Sequence, residues 1–493
     1  MTHYDVLFLH PPRVFKGFWR KLREKPEQKL RPQFCFVPMG LFSLAADLDE
    51  RGYAVSIVNL GIEQDLNRFF NVKRYIQSVQ AKIFAIDLQW VLSSSGAMAL
   101  ARVCKQYHPN SLVVLGGMTA TWFHEEILRT HPFVDVVLRG EADYSLPQVV
   151  EAAFKSQGLT EVAGISYRQG KHIKQTHTGS ILRNLDSIDP TRLELLANYE
   201  KYVYAGVYQC GRTGSKDGVS SESALWYPVL RGCSYNCAHC GGGQRAYRVL
   251  TGRDEIALRS PRKVADDLQI LADKGVQRIK FSHDLEIGGE KYYLTLLQEV
   301  RERNLDIGAY VEVFRLPTQK FASEMARTFH SPAFALSPES PHEQVRRLIG
   351  RGFSNHEFFK ALDGLKKEGI AARVFFTVGL PGEVPHPDPG WGRWLTRFKK
   401  FLEDVMAHGG LPLPPTVYTI DPNCLMAVNR DKYGINLLLK TFADYERVSA
   451  SESDLDWIGH ETKTLSQVDI GVLTSVSALT VHSDLMRMNV QNA

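Results

Sequence analysis

The feature that most constrains this fold is an alternation of short apolar runs with helical patterns, which occurs twice along the 493-residue chain. The first series begins with YDVLFLH at Tyr4, ends near Gln157 and contains five apolar runs separated by amphipathic segments. Strands that alternate with helices build parallel sheets covered by helices on both faces. Residues 1–158 are therefore predicted to form an α/β domain with a doubly wound parallel sheet.

A connecting segment follows over residues 159–223. It contains a hairpin pattern that turns at Gln169–Gly170, and then polar sequence. Its last part, Cys210–Ser223, is rich in glycine and serine, a composition typical of flexible linkers. We therefore predict a domain boundary directly after Ser223.

The second series extends from ALWYPVLRG at Ala224 to AARVFFTVGLPGE, with PTVYTI at 415–420 as a sixth apolar run. Six strands with interleaved helices predict a partial (βα)6 barrel over residues 224–410, followed by a C-terminal region over 411–493. Active sites of such barrels lie at the carboxyl ends of the strands. We therefore expect the chemistry of this domain at those ends.

Composition excludes several classes of protein. A net charge of +5 is small for this length, and the densest basic run, Arg20–Arg31, is interrupted by acidic residues, so nucleic acid is not an expected partner. No apolar stretch approaches the roughly 20 residues that a membrane span needs. We expect a cytoplasmic protein without a membrane partner. Four of the seven cysteines are scattered singly, which argues against a disulfide framework.

The strand ends of the first domain are candidate ligand contacts, because doubly wound sheets bind ligands at the carboxyl edge. No G-x-G-x-x-G follows the first strand, so the usual phosphate loop for a dinucleotide is missing. The paired glycines after the fourth strand would let a flat or bulky ligand approach the backbone. The predicted contacts are Pro12, Gln89, Trp90, Gly116, Gly117, Thr119, Gly140 and Glu141.

Three cysteines follow the first strand of the second series, in the stretch LRGCSYNCAHCGGG. Cys233, Cys237 and Cys240 have spacings of three and two intervening residues, and no second cysteine pair accompanies them as in zinc ribbons. His239 would complete a zinc site only by pointing the same way as its neighbours. Three thiolates in one loop instead suit a [4Fe–4S] cluster with one open iron.

This loop resembles that of the radical S-adenosylmethionine (SAM) superfamily, in which a Cys-x3-Cys-x2-Cys motif follows the first barrel strand. The resemblance implies that SAM chelates the open iron through its amino and carboxylate groups. It also implies an external electron donor of the flavodoxin or ferredoxin type. An electron from the cluster then cleaves SAM to a 5′-deoxyadenosyl radical.

Other strand ends are similar to SAM contacts of the superfamily. The chain departs from the Gly-Gly-Glu that often ends the second strand, where it has FSHDLEIGG. Glu312 and Arg315 would bind the SAM carboxylate or form an ion pair at the barrel rim. VGLPGE at Val378–Glu383 resembles a late turn of the superfamily, or is only a turn. The predicted SAM contacts are Ser282, Asp284, Glu312, Arg315, Ser337 and Glu339.

A doubly wound domain upstream of such a barrel resembles the cobalamin-binding (B12-binding, Rossmann-like) subclass, on the stretches VLGGMTAT and VDVVLRGEAD. The resemblance implies that the predicted contacts of the first domain hold cobalamin. The cobalt-ligating Asp-x-His-x-x-Gly is missing, because the first loop reads HPPRVFKG. His10 is interpreted as a structural group that has no orienting carboxylate. The lower face of the cofactor would then meet Gln89 or Trp90.

The resemblance implies a cobalamin-dependent radical SAM methyltransferase that acts on a small-molecule or natural-product substrate. The block at Tyr418–Ile435 is similar to an element of the tryptophan C-methyltransferase group, with Asn423–Cys424 in place of Gly-Ser. In that group SAM donates a methyl group and is not cleaved to a radical, so both uses of SAM stay open. The alternatives are a cobalamin-dependent radical SAM cyclase or ring-rearranging enzyme, and a non-catalytic cobalamin or redox sensor. No residue is assigned a catalytic role.

Overall fold

The computed structural model describes residues 2–12, 39–67, 69–200, 224–383 and 390–491. The chain divides into two compact units, and each is described by itself. Unit 1 comprises Met1–Tyr227, Tyr247–Ala257 and Thr441–Ala450. Unit 2 comprises Pro228–Ala246, Leu258–Lys440 and Ser451–Ala493. The predicted boundary after Ser223 falls at the edge of residues 201–223, which lie outside the described residues.

Unit 1 contains a seven-stranded sheet with the order β2-β1-β3-β4-β5-β6-β7. The strands are β1 Thr2–His10, β2 Val55–Asn59, β3 Val79–Asp87, β4 Leu112–Gly116, β5 Val136–Leu138, β6 Ile165–Gln169 and β7 His172–Gln175. The first five are parallel, and β6 and β7 are antiparallel. The strand order reverses between β1 and β3, so the carboxyl ends of these two strands flank the crevice where such sheets bind ligands.

The predicted doubly wound α/β architecture is confirmed in this unit. Val6, Leu7 and Leu9 of β1 are fully buried, as expected for a parallel strand that is covered on both faces. The hairpin predicted at Gln169–Gly170 is β6–β7, and it extends the sheet instead of standing apart from it. The helices before residue 200 are Met39–Glu50, Leu60–Leu66, Val72–Ser78, Ser94–Tyr107, Met118–Trp122, His124–Thr130 and Ser145–Lys155.

The second sheet has six strands in the order β15-β14-β13-β12-β11-β8. Its strands from β11 to β15 lie in unit 2 and are parallel. β8 is Leu225–Tyr227, at the end of the first segment of unit 1. The others are β11 Arg278–Phe281, β12 Gly308–Val313, β13 His330–Glu339, β14 Ala371–Phe376 and β15 Gly410–Pro412. The shorter strands are β9 Leu230–Arg231, β10 Ala257–Leu258, β16 Ile435–Leu437 and β17 His460–Thr462.

The sixth barrel strand predicted at 415–420 is wrong. That segment is not a strand, and the sixth strand is β15, which pairs with β14 through Gly410, Leu411 and Pro412. Pro414 and Pro415 lack the N–H that a continuing ladder needs, which explains why the strand ends before them. The apolar pattern of 415–420 instead serves packing around Ile420, which is fully buried.

Helices cover one face of the barrel sheet. Phe334 of β13 packs on Phe321 with ring centroids 5.6 Å apart, and Phe281 of β11 packs on Phe329 at 5.8 Å. The remaining helices are Gln244–Thr251, Pro261–Asp273, Glu290–Glu302, Gln319–Thr328, Glu343–Leu348, Asn355–Lys367, Gly390–Ala407, Leu425–Val428, Arg430–Tyr433, Phe442–Ser449 and Gln467–Gln491. Among the described residues, none of the helices has the length and apolarity of a membrane span.

Candidate functional site

The cysteine loop follows β9 in unit 2. Cys237 is 7% exposed, Cys233 is half-buried and Cys240 is exposed. Backbone N–H groups point at two of the sulfurs: Tyr235 N is 3.4 Å from Cys233 Sγ, and Gly242 N is 3.3 Å from Cys240 Sγ. Partial burial raises the pKa of Cys233, and the hydrogen bond from Tyr235 N opposes this shift because it favours the thiolate that a metal ligand requires.

The three thiols fit an iron–sulfur cluster better than a single metal ion. Within the described ranges, no three His, Cys, Asp or Glu side chains are placed to hold one ion. In a cluster each cysteine binds a different iron, and hydrogen bonds to the sulfurs are a common feature of such sites. The donor set of this loop therefore agrees with the predicted cluster and not with zinc.

Glu339 lies at the centre of an ion-pair network beside this loop. Its carboxylate is 3.3 Å from His239 Nε2 and 3.2 Å from Arg351, and it accepts a hydrogen bond of 2.6 Å from the Thr377 hydroxyl. Burial alone would raise the pKa of Glu339, but His239, Arg351 and Thr377 hold it at about 2. The carboxylate is therefore ionised at any physiological pH.

The backbone of Glu339 is unusual as well. Its φ of +65° is left-handed, and the register between β13 and β14 shifts at this point. Strained residues of this kind cluster at functional sites. Nearby, His239 Nδ1 is buried and has no hydrogen-bond partner among the described residues. An unpaired buried nitrogen beside the cysteine loop agrees with a polar ligand at this strand end.

The other predicted SAM contacts have partners within unit 2. Asp284 accepts hydrogen bonds from Glu286 N at 3.0 Å and from Phe314 N at 2.8 Å, so it links the loops after β11 and β12. Burial raises its pKa. Ser282 contacts its neighbour His283 at 2.9 Å, and Ser337 is half-buried on β13.

Glu312 and Arg315 do not pair with each other, which rules out that form of the rim ion pair. Glu312 lies 2.6 Å from Lys280, and the Arg315 guanidinium lies 4.1 Å from the ring centre of Tyr235. Because Tyr235 belongs to the cysteine loop, Arg315 is placed beside that loop. Glu312 is held on the inner side of the sheet instead. Their contacts with SAM stay predictions.

A clasp formed by residues 418–426 holds the cysteine loop from another side. The Tyr418 hydroxyl donates to His239 O at 2.5 Å, and Asp421 accepts from Gly241 N at 3.2 Å. The Asn423 amide donates to Gly241 O at 2.6 Å. The sequence singled out this block by resemblance, but its contacts with the loop were missed because about 180 residues separate the partners.

The predicted turn at Val378–Glu383 folds around its own last residue. The carboxylate of Glu383 accepts hydrogen bonds from Gly379 N at 2.9 Å and Leu380 N at 3.3 Å. Glu383 is 1% exposed, and burial raises its pKa to about 7. His460 fixes the same turn through a contact of 2.7 Å with Gly379 O. The turn is thus a buried polar element and not a plain surface turn.

At the carboxyl edge of unit 1, His10 and Asp87 form a buried pair. His10 Nδ1 is 2.8 Å from Asp87 Oδ1, and the two residues are 4% and 7% exposed. The expectation that His10 lacks an orienting carboxylate is wrong, because Asp87 supplies one from the end of β3. The pair lies where the strand order reverses, at the crevice between β1 and β3.

Gln89, Gly117 and Thr119 meet at the ends of β3 and β4. Thr119 donates to Gln89 O at 3.1 Å, and Met118 N donates to the Gln89 side chain at 3.3 Å. A Cβ on Gly117, whose φ is +111°, would lie 2.7 Å from the backbone of Leu88. Gly117 is therefore required by the chain's own packing, whereas a Cβ on Gly116 would make only an ordinary contact of 3.8 Å with Leu138.

Trp90 completes this edge. It is half-buried, and its Nε1 is buried without a hydrogen-bond partner among the described residues. A buried indole N–H normally finds a partner, so this donor agrees with a polar group bound at the edge. Pro12 is buried at the end of β1.

Gly140 and Glu141 are engaged by other parts of unit 1. Gly140 N donates to the Thr121 hydroxyl at 3.0 Å. The Glu141 carboxylate forms two hydrogen bonds with Arg253, at 2.6 and 2.9 Å, and accepts from Leu182 N at 3.0 Å. Glu141 therefore has a structural role, because its bidentate ion pair with Arg253 joins two segments of unit 1. Its contact with cobalamin stays a prediction.

Two family matches divide the chain as the fold does. Residues 30–150 match the B12 binding domain, and residues 227–387 match the Radical SAM superfamily. The chain therefore carries a B12-binding domain and a radical SAM domain. Its cofactors are a [4Fe–4S] cluster, SAM and cobalamin, and the thiols and orphaned buried nitrogens described above fit these groups.

Relatives of this chain include an uncharacterized methyltransferase of Pyrococcus horikoshii, 26% identical over 80% of this chain and 81% of the relative. An anaerobic magnesium-protoporphyrin IX monomethyl ester cyclase of Cereibacter sphaeroides is 27% identical, and the match covers 57% of this chain and 44% of the cyclase. The chain thus spans less than half of that relative.

Among solved structures, the fold resembles the radical SAM methyltransferase TsrM from Kitasatospora setae, determined with cobalamin and a [4Fe–4S] cluster bound. The TM-score is 0.65 at 13% identity, and the match covers 98% of this chain and 89% of TsrM. At this identity the likeness supports the fold. It agrees with a B12-binding unit and a radical SAM unit in one chain.

Proposed function

We propose that this radical SAM enzyme is a cobalamin-dependent methyltransferase that transfers a methyl group from SAM to a small-molecule or natural-product substrate. The observation that carries the proposal is the presence of both domains in one chain, with three thiols directly after the first strands of the barrel unit. The cluster supplies electrons to SAM, and cobalamin carries the methyl group when bound.

In unit 2 we propose the role of each site residue from its position. Cys233, Cys237 and Cys240 hold the cluster. Glu339 lies 3.3 Å from His239, which is part of the cysteine loop, so its ionised carboxylate lies beside the loop that would hold the cluster. A fixed negative charge there orients the ammonium group of SAM. Ser282, Asp284, Glu312, Arg315 and Ser337 are the further proposed SAM contacts.

In unit 1 we place cobalamin at the carboxyl edge. Gln89 and Trp90 follow β3, and the unpaired N–H of Trp90 can donate to the cofactor. Pro12 and Gly116, the last residue of β4, flank the crevice. Gly117, Thr119, Gly140 and Glu141 shape this edge and are proposed as contacts on the sequence argument alone.

Labelled SAM tests the function. Anaerobically reconstituted enzyme with cobalamin, reductant and SAM that carries a deuterated methyl group is incubated with metabolite extract of the host organism. Mass spectrometry then searches for products that have gained the labelled methyl group. Labelled product supports a methyltransferase, and Cys237→Ala serves as the control that should form none.

Two other functions make different predictions in the same experiment. A cyclase or ring-rearranging enzyme, favoured by the likeness to the cyclase of C. sphaeroides, would consume SAM without transferring the label. A cobalamin or redox sensor would bind both cofactors without consuming SAM. Either result contradicts the proposed methyl transfer.

The remaining expectations from the sequence are proposals as well. They are an electron donor of the flavodoxin or ferredoxin type, a cytoplasmic location, and domain limits at 158, 223 and 410. An open depression of about 540 Å³ is lined by Arg315, Arg347 and Glu357, together with Gly350 and other residues, so it carries more positive than negative charge. A Cβ on Gly350 would come within 3.3 Å of Asn236 O. An acidic donor protein would therefore find positive charge close to the cysteine loop.

A further inference from the structure

Arg351 is a buried arginine beside the cysteine loop. It is 8% exposed, and its guanidinium donates to Phe314 O at 2.9 Å and to Glu339 Oε1 at 3.2 Å. Its Nε is buried as well and has no hydrogen-bond partner among the described residues. An arginine side chain stays charged in proteins. Arg351 therefore places a fixed positive charge between the ends of β12 and β13.

The backbone just before Arg351 packs directly on the cysteine loop. Ile349 O accepts a hydrogen bond of 2.9 Å from Ala238 N, which lies between the second and third cysteine. Gly350 has a φ of +87°, and a Cβ there would lie 3.3 Å from Asn236 O. A larger residue would be strained and would crowd the loop. This close fit gives the Arg351 charge a fixed place relative to the thiols.

Arg315 places a second positive charge on the same side of the loop. Its guanidinium carbon lies 4.1 Å from the ring centre of Tyr235, and the side chain donates at 3.4 Å to Phe314 O, which also binds Arg351. Burial raises the pKa of Cys233, and the charges of Arg315 and Arg351 act against that shift. Both arginines therefore act on the same part of the cysteine loop.

Two buried carboxyl groups lie in the same neighbourhood. Glu339, whose pKa is about 2, is ionised beside His239. Asp284 accepts a hydrogen bond of 2.8 Å from Phe314 N; burial raises its pKa, and Arg351 is among the groups that oppose this shift. Negative charge near a cluster disfavours the addition of an electron. Without the arginines, these acids would make a cluster in this loop harder to reduce.

We propose that Arg351 and Arg315 raise the reduction potential of the [4Fe–4S] cluster by offsetting the buried carboxylates beside the cysteine loop. Reduction adds one electron from an external low-potential donor, so the cluster and its three thiolates become more negative by one charge. A fixed positive charge stabilises this form more than the oxidised one. The inference rests on the proposed function, because that function assigns the cluster to Cys233, Cys237 and Cys240.

A redox titration of the reconstituted holoenzyme without SAM or substrate tests the proposal. Low-temperature electron paramagnetic resonance of the reduced cluster gives its midpoint potential, and leaving SAM out removes any effect on SAM binding. Arg351→Met should lower the equilibrium constant for reduction about tenfold. For a one-electron couple this corresponds to a fall of about 59 mV. Arg315→Met, a less buried site, should shift the potential in the same direction.

Three further variants separate charge from shape, and all are compared at equal iron and sulfide content. Arg351→Lys keeps the charge and should retain most of the potential. Glu339→Gln removes a negative charge from the same neighbourhood and should shift the potential upwards. Arg347→Met removes an exposed cation from the preceding helix, where solvent screens the charge, and should leave the potential unchanged.

A lower potential in the methionine variants, with a retained potential in Arg351→Lys, would support the proposal. Unchanged potentials in both Arg351→Met and Arg315→Met would overturn it. An equal loss in Arg351→Lys, or a downward shift in Glu339→Gln, would overturn it as well, because charge would then not set the potential. Wild-type protein that assembles no cluster would contradict the proposed function itself. A cluster whose potential ignores these charges would contradict only this inference.

Discussion

At the residue scale, the cysteine loop gives the sharpest prediction. Cys237→Ala should abolish the visible sulfur-to-iron absorption of anaerobically reconstituted protein and its bound iron and sulfide, because a [4Fe–4S] cluster with three protein ligands cannot lose one and stay anchored. Cys104→Ala is the matched control. Cys104 is fully buried on helix Ser94–Tyr107 of unit 1 and is not part of the cysteine loop. Retained iron in Cys237→Ala would contradict the assignment.

Glu339 gives a second prediction at this scale. Because its pKa is held at about 2, Glu339→Gln removes a full charge that faces His239 and Arg351. We expect SAM affinity to fall about tenfold, measured by isothermal titration, while the cluster absorption stays unchanged. Glu290→Gln, an exposed site on the outer helix, should leave both unchanged. Unaltered SAM affinity in Glu339→Gln would place SAM elsewhere.

Sequence can group candidate site residues only where they lie close together in the chain. The three thiols fall within eight residues, so their spacing alone indicated a cluster. The partners of Glu339 could not be found in this way, because His239 and Thr377 come from strand ends far apart in sequence. The pair of His10 and Asp87 was missed for the same reason, since only the parallel pairing of β1 and β3 brings them together.

At the scale of elements, the 418–426 clasp should control how firmly the cluster loop is held. Asp421→Ala removes the acceptor of Gly241 N and leaves a buried gap beside the loop. We expect the cluster still to assemble. The lost hydrogen bond contributes about 1 kcal/mol to holding the loop, so the cluster should lose iron to a chelator several times faster than in wild type. Asp431→Ala, an exposed carboxylate in the next helix, should keep the wild-type rate.

The turn at Val378–Glu383 predicts a dependence of stability on pH. Burial raises the folded-state pKa of Glu383 from its ordinary 4.5 to about 7, so the folded chain binds one more proton than the unfolded chain between these values. This contribution is complete below about pH 4.5 and is lost as the pH rises towards 7. Glu383→Gln mimics the protonated side chain. It should therefore stabilise unit 2 by about 3 kcal/mol at pH 8 and by about 1 kcal/mol or less at pH 5.

Urea denaturation followed by circular dichroism at both pH values measures this effect. Glu357→Gln is not a suitable control, because Glu357 takes part in the capping box of helix Asn355–Lys367. Glu290→Gln, which is exposed, should show no difference between pH 5 and pH 8. Equal effects of Glu383→Gln at both pH values would mean that the carboxyl is ionised in the folded turn.

The order of strands and helices was largely predictable, because buried parallel strands leave continuous apolar runs in the sequence. The sixth barrel strand was misplaced since periodicity cannot separate a short edge strand from an apolar loop of the same length. Gly410–Pro412 has only three residues, so the strand was predicted at the more apolar segment 415–420 instead. The hairpin was found, but its pairing with β5 depends on contacts that no local pattern encodes.

At the scale of the whole molecule, unit 1 is assembled from three separate stretches of sequence. Helix Phe442–Ser449 belongs to it although more than 180 residues separate this helix from the end of the unit's second segment. Phe442 and Tyr445 pack on Phe123, each with ring centroids 5.7 Å apart, and Ser449 accepts a hydrogen bond of 2.8 Å from Ser95 N. The sequence assigned this helix to a C-terminal region, because no local sequence pattern shows that a late helix packs against an early domain.

The last prediction tests how helix Phe442–Ser449 is held in unit 1. The Glu126 carboxylate accepts hydrogen bonds from Phe442 N at 2.9 Å and Ala443 N at 3.2 Å, so it caps the helix and meets the positive end of its dipole. Glu126→Gln should weaken docking by about 1 kcal/mol. Hydrogen exchange of the 442–449 amides should therefore become about fivefold faster. Glu125→Gln, an exposed neighbour near Arg129, should exchange like wild type. Equal exchange in both variants would show that ring packing alone holds the helix.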